Sequence, residues 1–334
     1  MTGKERVAAS GRATAGLMGG PTPLHPADRL GAALGLPAGA LWVKRDDLTP
    51  LAGGGNKVRK LDYLCADAIA RGADLLLTGG GPQSNHVRLT AAAARRLGLD
   101  CHVVLAGDSP PRASGNLVID ALLGPTVAWA GAGGLAIVAQ ALADTEAQLR
   151  REGRRVYAIP IGGADAVRSQ GYLTAAAELT GACPDLALVV VPAGSGGTQA
   201  GLAAGLGSHE LVLGVNVGAF PDVSTRIYAL AGRTADLADR PRPAGTPRVD
   251  ERYTASGYGA ELPEVLAAMR LAARTEGLIL DPIYTGKALA GLAAGLREGS
   301  LSLEGPVVFV HCGGAYGLLS DRYSQWVAGE TTPK

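Results

Sequence analysis

The sequence predicts an α/β protein built on two open, twisted parallel sheets. Strand-like apolar runs alternate with helix-like stretches along most of its 334 residues, the order of parallel strands joined by crossover helices. Residues 186–191 are almost wholly apolar, as a strand covered on both faces must be. Glycine-rich turns follow several strands, where open α/β sheets place their ligands.

Taken in order, Pro21-Thr22-Pro23-Leu24 closes a polar leader that lacks the apolar core of a signal peptide and is expected to be frayed. A short strand at 41–45 and a turn at Asp46-Asp47 lead into Gly53-Gly54-Gly55-Asn56-Lys57-Val58-Arg59-Lys60. A helix starts there, with Val58, Leu61, Leu64, Cys65, Ala68 and Ile69 at helical spacing. Strands at 75–78, 101–106, 126–129 and 156–159 alternate with helices at 84–97, 116–122 and 137–151. A helix at 167–180 precedes the apolar strand, and helix 199–206 and strand 211–217 follow it. Residues 233–258, rich in Arg, Pro and Asp, read as a long irregular excursion. Helices at 263–276 and from Thr285, then a strand at 306–311, complete the chain. The expected division is a smaller unit, residues 61–171, inserted into a larger, cofactor-binding one, residues 1–60 and 172–334.

Hydrophobic residues at 47% and charged residues at 18% describe a soluble globular chain with ample core. A formal net charge of +1 argues against nucleic acid or an anionic membrane as partner. No apolar run reaches the length of a membrane span. The four cysteines are scattered without a CxxC pair, which excludes a recognisable zinc site or disulfide framework and points to a reducing, cytoplasmic setting.

The chemistry concentrates in the turns. At Lys57, glycines without Cβ let backbone amides approach a ligand, and a helix start favours anions. A lysine held there can lose its proton and form an imine. Gly194-Ser195-Gly196-Gly197-Thr198 joins the buried strand to a helix and suits a phosphate, yet matches neither GxxxxGK[ST] nor GxGxxG. A lysine with a separate phosphate cup is what pyridoxal phosphate needs. Ser84 and Asn85 follow another glycine turn, where they can cap a helix and serve a site together. Tyr258 and Tyr284 sit in loops beside glycine or proline; His86 and His311 read as packing or hydrogen-bonding residues, and Cys312 as a buried thiol near the cofactor edge.

Four ordered stretches, Gly54 to Leu61, Gln83 to Arg88, Gly194 to Thr198 and Asp281 to Lys287, resemble the pyridoxal-phosphate family that holds D-cysteine desulfhydrase and 1-aminocyclopropane-1-carboxylate deaminase. The resemblance implies a tryptophan-synthase-β-like fold (fold type II), a homodimer, and a cofactor between the domains. By position it makes Lys57 similar to the Schiff-base lysine, Asn85 to the partner of the ring hydroxyl, and Gly194, Ser195, Gly196, Gly197 and Thr198 to the phosphate cup. It places Ser84 at the substrate carboxylate, or as the attacking residue of the deaminase, and Tyr258 and Tyr284 near the substrate.

Within that family the deaminase resemblance calls for a glutamate after the tyrosine, and Thr285 stands there instead. A neutral partner for the ring nitrogen fits elimination of a good leaving group such as a thiol. The desulfhydrase pattern has departures too: Cys312 and Tyr316 in His311-Cys312-Gly313-Gly314-Ala315-Tyr316, the glycine run before Gln83, and Ala164-Asp165, which brings a negative charge toward the site. The expectation is a lyase performing α,β-elimination on a small amino acid, with Thr285 and Cys312 at the far edge of the ring and no metal. The rivals are ring-opening deamination, a specialised elimination, replacement or racemisation in secondary metabolism, and a non-catalytic amino-acid sensor.

Overall fold

The computed structural model describes residues 6–7, 12–161, 165–254 and 257–329. The first part of the chain forms β1 (Arg6–Val7), β2 (Ala13–Thr14), β3 (Leu24–Pro26), α1 (Asp28–Ala33), β4 (Leu41–Lys44) and α2 (Lys57–Ala70). The middle alternates regularly: β5 (Leu75–Gly80), α3 (Asn85–Leu97), β6 (Asp100–Leu105), α4 (Asn116–Leu123), β7 (Thr126–Trp129), α5 (Gly134–Arg151), β8 (Val156–Ile159) and α6 (Ala166–Ala182). The remainder runs β9 (Leu188–Ala193), α7 (Gly197–Leu206), β10 (Val212–Asn216), α8 (Val223–Leu237), β11 (Arg248–Asp250), α9 (Pro263–Glu276), α10 (Thr285–Arg297), β12 (Val307–Val310), α11 (Ala315–Leu318) and α12 (Asp321–Gly329).

Two parallel sheets result, as the alternation predicts. The larger has the order β11-β10-β9-β12-β4-β3, parallel throughout except for the edge strand β3, which pairs antiparallel with β4. The smaller, β7-β6-β5-β8, is parallel throughout. Period-two alternation splits the inner strands between two cores. In β9, Leu188 and Val190 pack toward α9 and α10, while Val189 and Val191 pack toward α6, α7 and α8. In the smaller sheet Leu76 faces α2 and α3, whereas Leu75 and Leu77 face α5.

Three local expectations change. The end of the leader is held rather than frayed: β2 pairs with β1, Ala15 N–H donates to the Asp62 carbonyl at 2.8 Å, and Leu17 is buried against α2. Residues 1–5 and 8–11 lie outside the described residues. The strand expected to stop at Thr78 continues through Gly79 and Gly80, because both pair with β6. The expected excursion at 233–258 contains the end of α8 and strand β11, which adds in parallel to β10. Its Arg and Asp content misled because β11 lies at the sheet edge, where polar side chains are tolerated.

Candidate active site

The ends of β5, β9 and β12 converge on one cavity of about 130 Å³. Eleven of the twelve residues singled out from the sequence line it: Lys57, Ser84, Asn85, Gly194, Ser195, Gly196, Gly197, Thr198, Tyr258, Tyr284 and Cys312.

Lys57 opens α2 behind a loop clamped on several sides. Gly54 has φ of +75°, and a Cβ there would stand 1.8 Å from the Asp47 carbonyl oxygen, so only glycine fits. Arg88 Nη2 donates to the Gly54 carbonyl at 2.7 Å, Gly55 N–H to Thr49 Oγ1 at 2.8 Å, and Asn56 N–H to the Cys312 carbonyl at 3.0 Å. Lys57 Nζ is left inside the cavity, with Asn56 Oδ1 at 3.2 Å. Burial chiefly, with the charge of Arg168 adding to it, depresses the Lys57 pKa below its ordinary range.

The glycine cup lies across the cavity. Gly196 is the left-handed N-cap of α7, with φ of +81°. Asn56 Nδ2 reaches Thr198 Oγ1 at 3.4 Å, tying the lysine loop to the cup. Lys60, one turn after Lys57, brings its Nζ to the same place, 3.3 Å from where a Cβ on Gly197 would stand. Burial first, and then repulsion from Lys57, push the Lys60 pKa well below normal. Arg168 of α6 also lines the cavity, while no Asp or Glu does so among the described residues.

On the facing wall, Ser84 caps α3 by accepting from Val87 N–H at 3.3 Å, so its own hydroxyl hydrogen remains to donate. His86 is neutral: burial drives its pKa well down. Thr78 Oγ1 donates to the Ile159 carbonyl at 2.9 Å, so the 3.0 Å contact to His86 Nε2 makes that nitrogen the donor. Tyr258 and Tyr284 bond each other through their hydroxyls at 2.6 Å. Burial raises the Tyr284 pKa to about 12, and the Cys312 thiol rises to about 12 for the same primary reason, so both stay protonated near neutrality.

Thr285 is the residue the structure places elsewhere. It is fully buried, donates to Asp281 Oδ1 at 2.6 Å and accepts from Asp281 N–H at 2.8 Å, so its hydroxyl is spent inside the turn that starts α10. Asp165 is also accounted for: it caps α6, accepting from Arg168 N–H at 2.8 Å, and its carboxylate pairs with Arg168 Nε at 3.2 Å. Gly162, Gly163 and Ala164 lie outside the described residues. Tyr316 stacks on Arg88, ring centroid 4.7 Å from the guanidinium, and does not line the cavity.

Motif reading gave no role to Gln83, although it opens one of the four stretches, and missed Arg168 and Phe220 on the cavity wall. Lys60 received no role there, although the i, i+3 relation to Lys57 puts both on one helix face.

A deep, cation-rich cavity with a primary amine at a helix start and an anion cup opposite defines an enzyme that holds a phosphorylated carbonyl cofactor. The chain belongs to the family of pyridoxal-phosphate dependent enzymes, whose model matches residues 16–313. It is 41% identical over 316 residues to a D-cysteine desulfhydrase of Klebsiella pneumoniae subsp. pneumoniae, covering 91% of this chain and 94% of that protein. A D-cysteine desulfhydrase of Salmonella typhi is 39% identical over 328 residues, with the same coverage. Among solved structures, an ACC deaminase homologue superposes with a TM-score of 0.85 at 35% identity over 94% of both chains. Threonine deaminase isoform 2 from Solanum lycopersicum, at 18% identity and a TM-score of 0.68 over 93% of this chain and 83% of that one, shares the fold.

The cavity fits the cofactor. The buried Lys60 and half-buried Lys57 ammonium groups, with no carboxylate on the lining among the described residues, are costly as they stand, and a phosphate on the α7 N-terminus offsets that cost.

Proposed function

We propose that the protein is a lyase performing α,β-elimination on a small amino acid with a β leaving group, D-cysteine being the first substrate to test. Pyridoxal phosphate, when bound, supplies the electron sink for the pair left at Cα. Lys57 Nζ holds the cofactor and then takes the Cα proton, a role its depressed pKa suits. Ser84 donates its free hydroxyl hydrogen to the substrate carboxylate, and Asn85 meets the ring oxygen. Gly194 to Thr198 and Lys60 hold the phosphate. Tyr284, kept protonated and bonded to Tyr258, gives a proton to the departing sulfur. Breaking the Cβ–S bond releases sulfide, and hydrolysis of the remaining enamine yields a 2-oxo acid and ammonia.

The observation that carries this reading is Lys57 in a wall that holds no carboxylate among the described residues, beside a protonated thiol at Cys312 and a Thr285 hydroxyl committed to Asp281. Such a wall keeps the sink weak, which favours a good leaving group over ring opening. The proposal extends to a division at residues 61–171, to a homodimer and to the cytoplasm, which scattering and fractionation test directly.

D-cysteine incubated with cofactor-loaded protein should release sulfide and 2-oxo acid together, and Lys57→Ala should lower that rate about a thousandfold or more and abolish the cofactor's visible band. Product from 1-aminocyclopropane-1-carboxylate but none from D-cysteine would reverse the choice of reaction. Spectral changes over an amino-acid panel without turnover would make the protein a sensor.

A further inference from the structure

An amide side chain facing a cofactor oxygen can meet it with either end, its amino group donating or its carbonyl accepting. The end Asn85 turns into the cavity is decided behind it, by Asn116. Asn116 begins α4 and is fully buried. Its Nδ2 lies 2.8 Å from the backbone carbonyl of Gln83, which can only accept, so that atom of Asn116 must be the nitrogen. The same nitrogen stands 3.1 Å from the Asn85 side chain, and its second hydrogen points there. The Asn85 atom facing it is therefore the oxygen, and the amino group of Asn85 is the end left for the cavity.

Backbone groups anchor the rest of the chain of amides. Asn116 N–H donates to Gln83 Oε1 at 2.8 Å, and Gln83 Nε2 donates to the Ser114 carbonyl at 2.9 Å. Each amide orientation thus follows from a main-chain partner of fixed polarity, and none is free to turn without breaking a buried bond. The charged and titratable groups around this chain are Lys57, Lys60, Arg168, His86, Tyr258, Tyr284 and Cys312 on the cavity wall. Behind it stand Arg88 and Asp120 between α3 and α4, with Tyr316 stacked on Arg88. Among the described residues, none of them hydrogen-bonds Asn85 or Asn116.

Building on the reading of the cavity as a pyridoxal-phosphate site, we infer that Asn116 is a positioning residue that locks Asn85 as a one-way donor to the cofactor's ring oxygen. A donor there stabilises the deprotonated oxygen and lowers the pH at which the visible chromophore of the loaded protein titrates.

The test is a pH titration of visible absorbance in cofactor-loaded wild type, Asn116→Leu, Asn85→Leu and the double variant, with cofactor affinity measured beside it. Asn116→Leu should move the titration upward by about one pH unit or more. Asn85→Leu should move it in the same direction, and the double variant should move no further than Asn85→Leu alone. If Asn116→Leu does not fold, Asn116→Asp keeps the site polar. It offers at most one hydrogen where two are needed, so Asn85 should turn over and the same upward shift should appear. A titration unmoved in the Asn116 variants, weakened cofactor affinity without a shift, or shifts that add fully in the double variant would each overturn the inference. A wild type lacking any Lys57-dependent visible band would overturn the reading of the site and the inference with it. A normal wild-type band with unmoved variants would overturn the inference alone.

Discussion

Two groups of cations start from the same short stretch of α2 and meet opposite fates. Lys57 and Lys60 face the cavity, where their pKa values are depressed and no carboxylate shares the wall among the described residues. Arg59, between them in sequence, points the other way into a closed network. Its Nε bonds both Asp46 oxygens at 3.0 Å, and its two terminal nitrogens bond Glu178 at 2.8 and 2.7 Å. Tyr172 donates to Asp46 at 2.8 Å, Thr22 to Asp46 at 2.9 Å, and Lys44 pairs with Glu178 at 2.6 Å. The network ties β4, α2 and α6 together. The difference teaches what buried charge is for in each place: compensated cations hold the fold, while uncompensated ones await an anion. Helical phase alone separates them, since positions 57 and 60 share a face that 59 does not.

The comparison can be broken first at Arg59. Arg59→Met leaves Asp46 buried without its cationic partner and Glu178 with Lys44 alone, and should cost about 3–5 kcal/mol of unfolding free energy, read from urea denaturation of the unliganded protein. An Arg59→Met protein as stable as wild type would put Arg59 in the same class as the cavity lysines.

Lys60→Met should do the reverse. Unliganded stability holds or rises, while affinity for pyridoxal phosphate falls about tenfold to a hundredfold, as loss of one charge-assisted phosphate contact predicts. A pH series sharpens this. Burial lowers both lysine pKa values in the folded chain, so the unfolded chain binds more protons between the folded value and the ordinary 10.5. Unliganded stability is therefore lowest below the folded value and recovers as pH climbs toward 10.5. Lys60→Met should flatten that rise, and an unchanged slope would refute the assignment.

The smallest effect belongs to Thr285. Thr285→Val removes a hydroxyl that serves Asp281 rather than the cavity, so it should cost about 1–2 kcal/mol of stability and leave the visible spectrum of the loaded protein unmoved. A spectral shift in that variant would return Thr285 to the ring.

Much of this is legible in the sequence. Strand and helix order could be read because the period of apolar residues is a local property. That Lys57, Ser84, Asn85 and the glycine run at 194–198 would lie in turns at strand ends could be read because backbone amides and caps there impose narrow residue choices. The leader and residues 233–258 were misjudged because their order comes from partners elsewhere, Asp62 for Ala15 and Leu17, and β10 for β11.

The sequence by itself determined the two-sheet plan and the two glycine-rich turns that carry Lys57 and Gly194 to Thr198 to one cavity, since each depends on neighbours within a few residues. Only the tertiary structure decided which cation is answered and which is left for a ligand. Glu178 reaches Arg59 from 119 positions away, and Asn116 orients Asn85 from 31. It also decided that Thr285 serves Asp281 and that Asp165 serves Arg168. Those choices rest on distances between side chains that folding alone brings together, and a hydrogen bond or ion pair in a buried setting depends on little else.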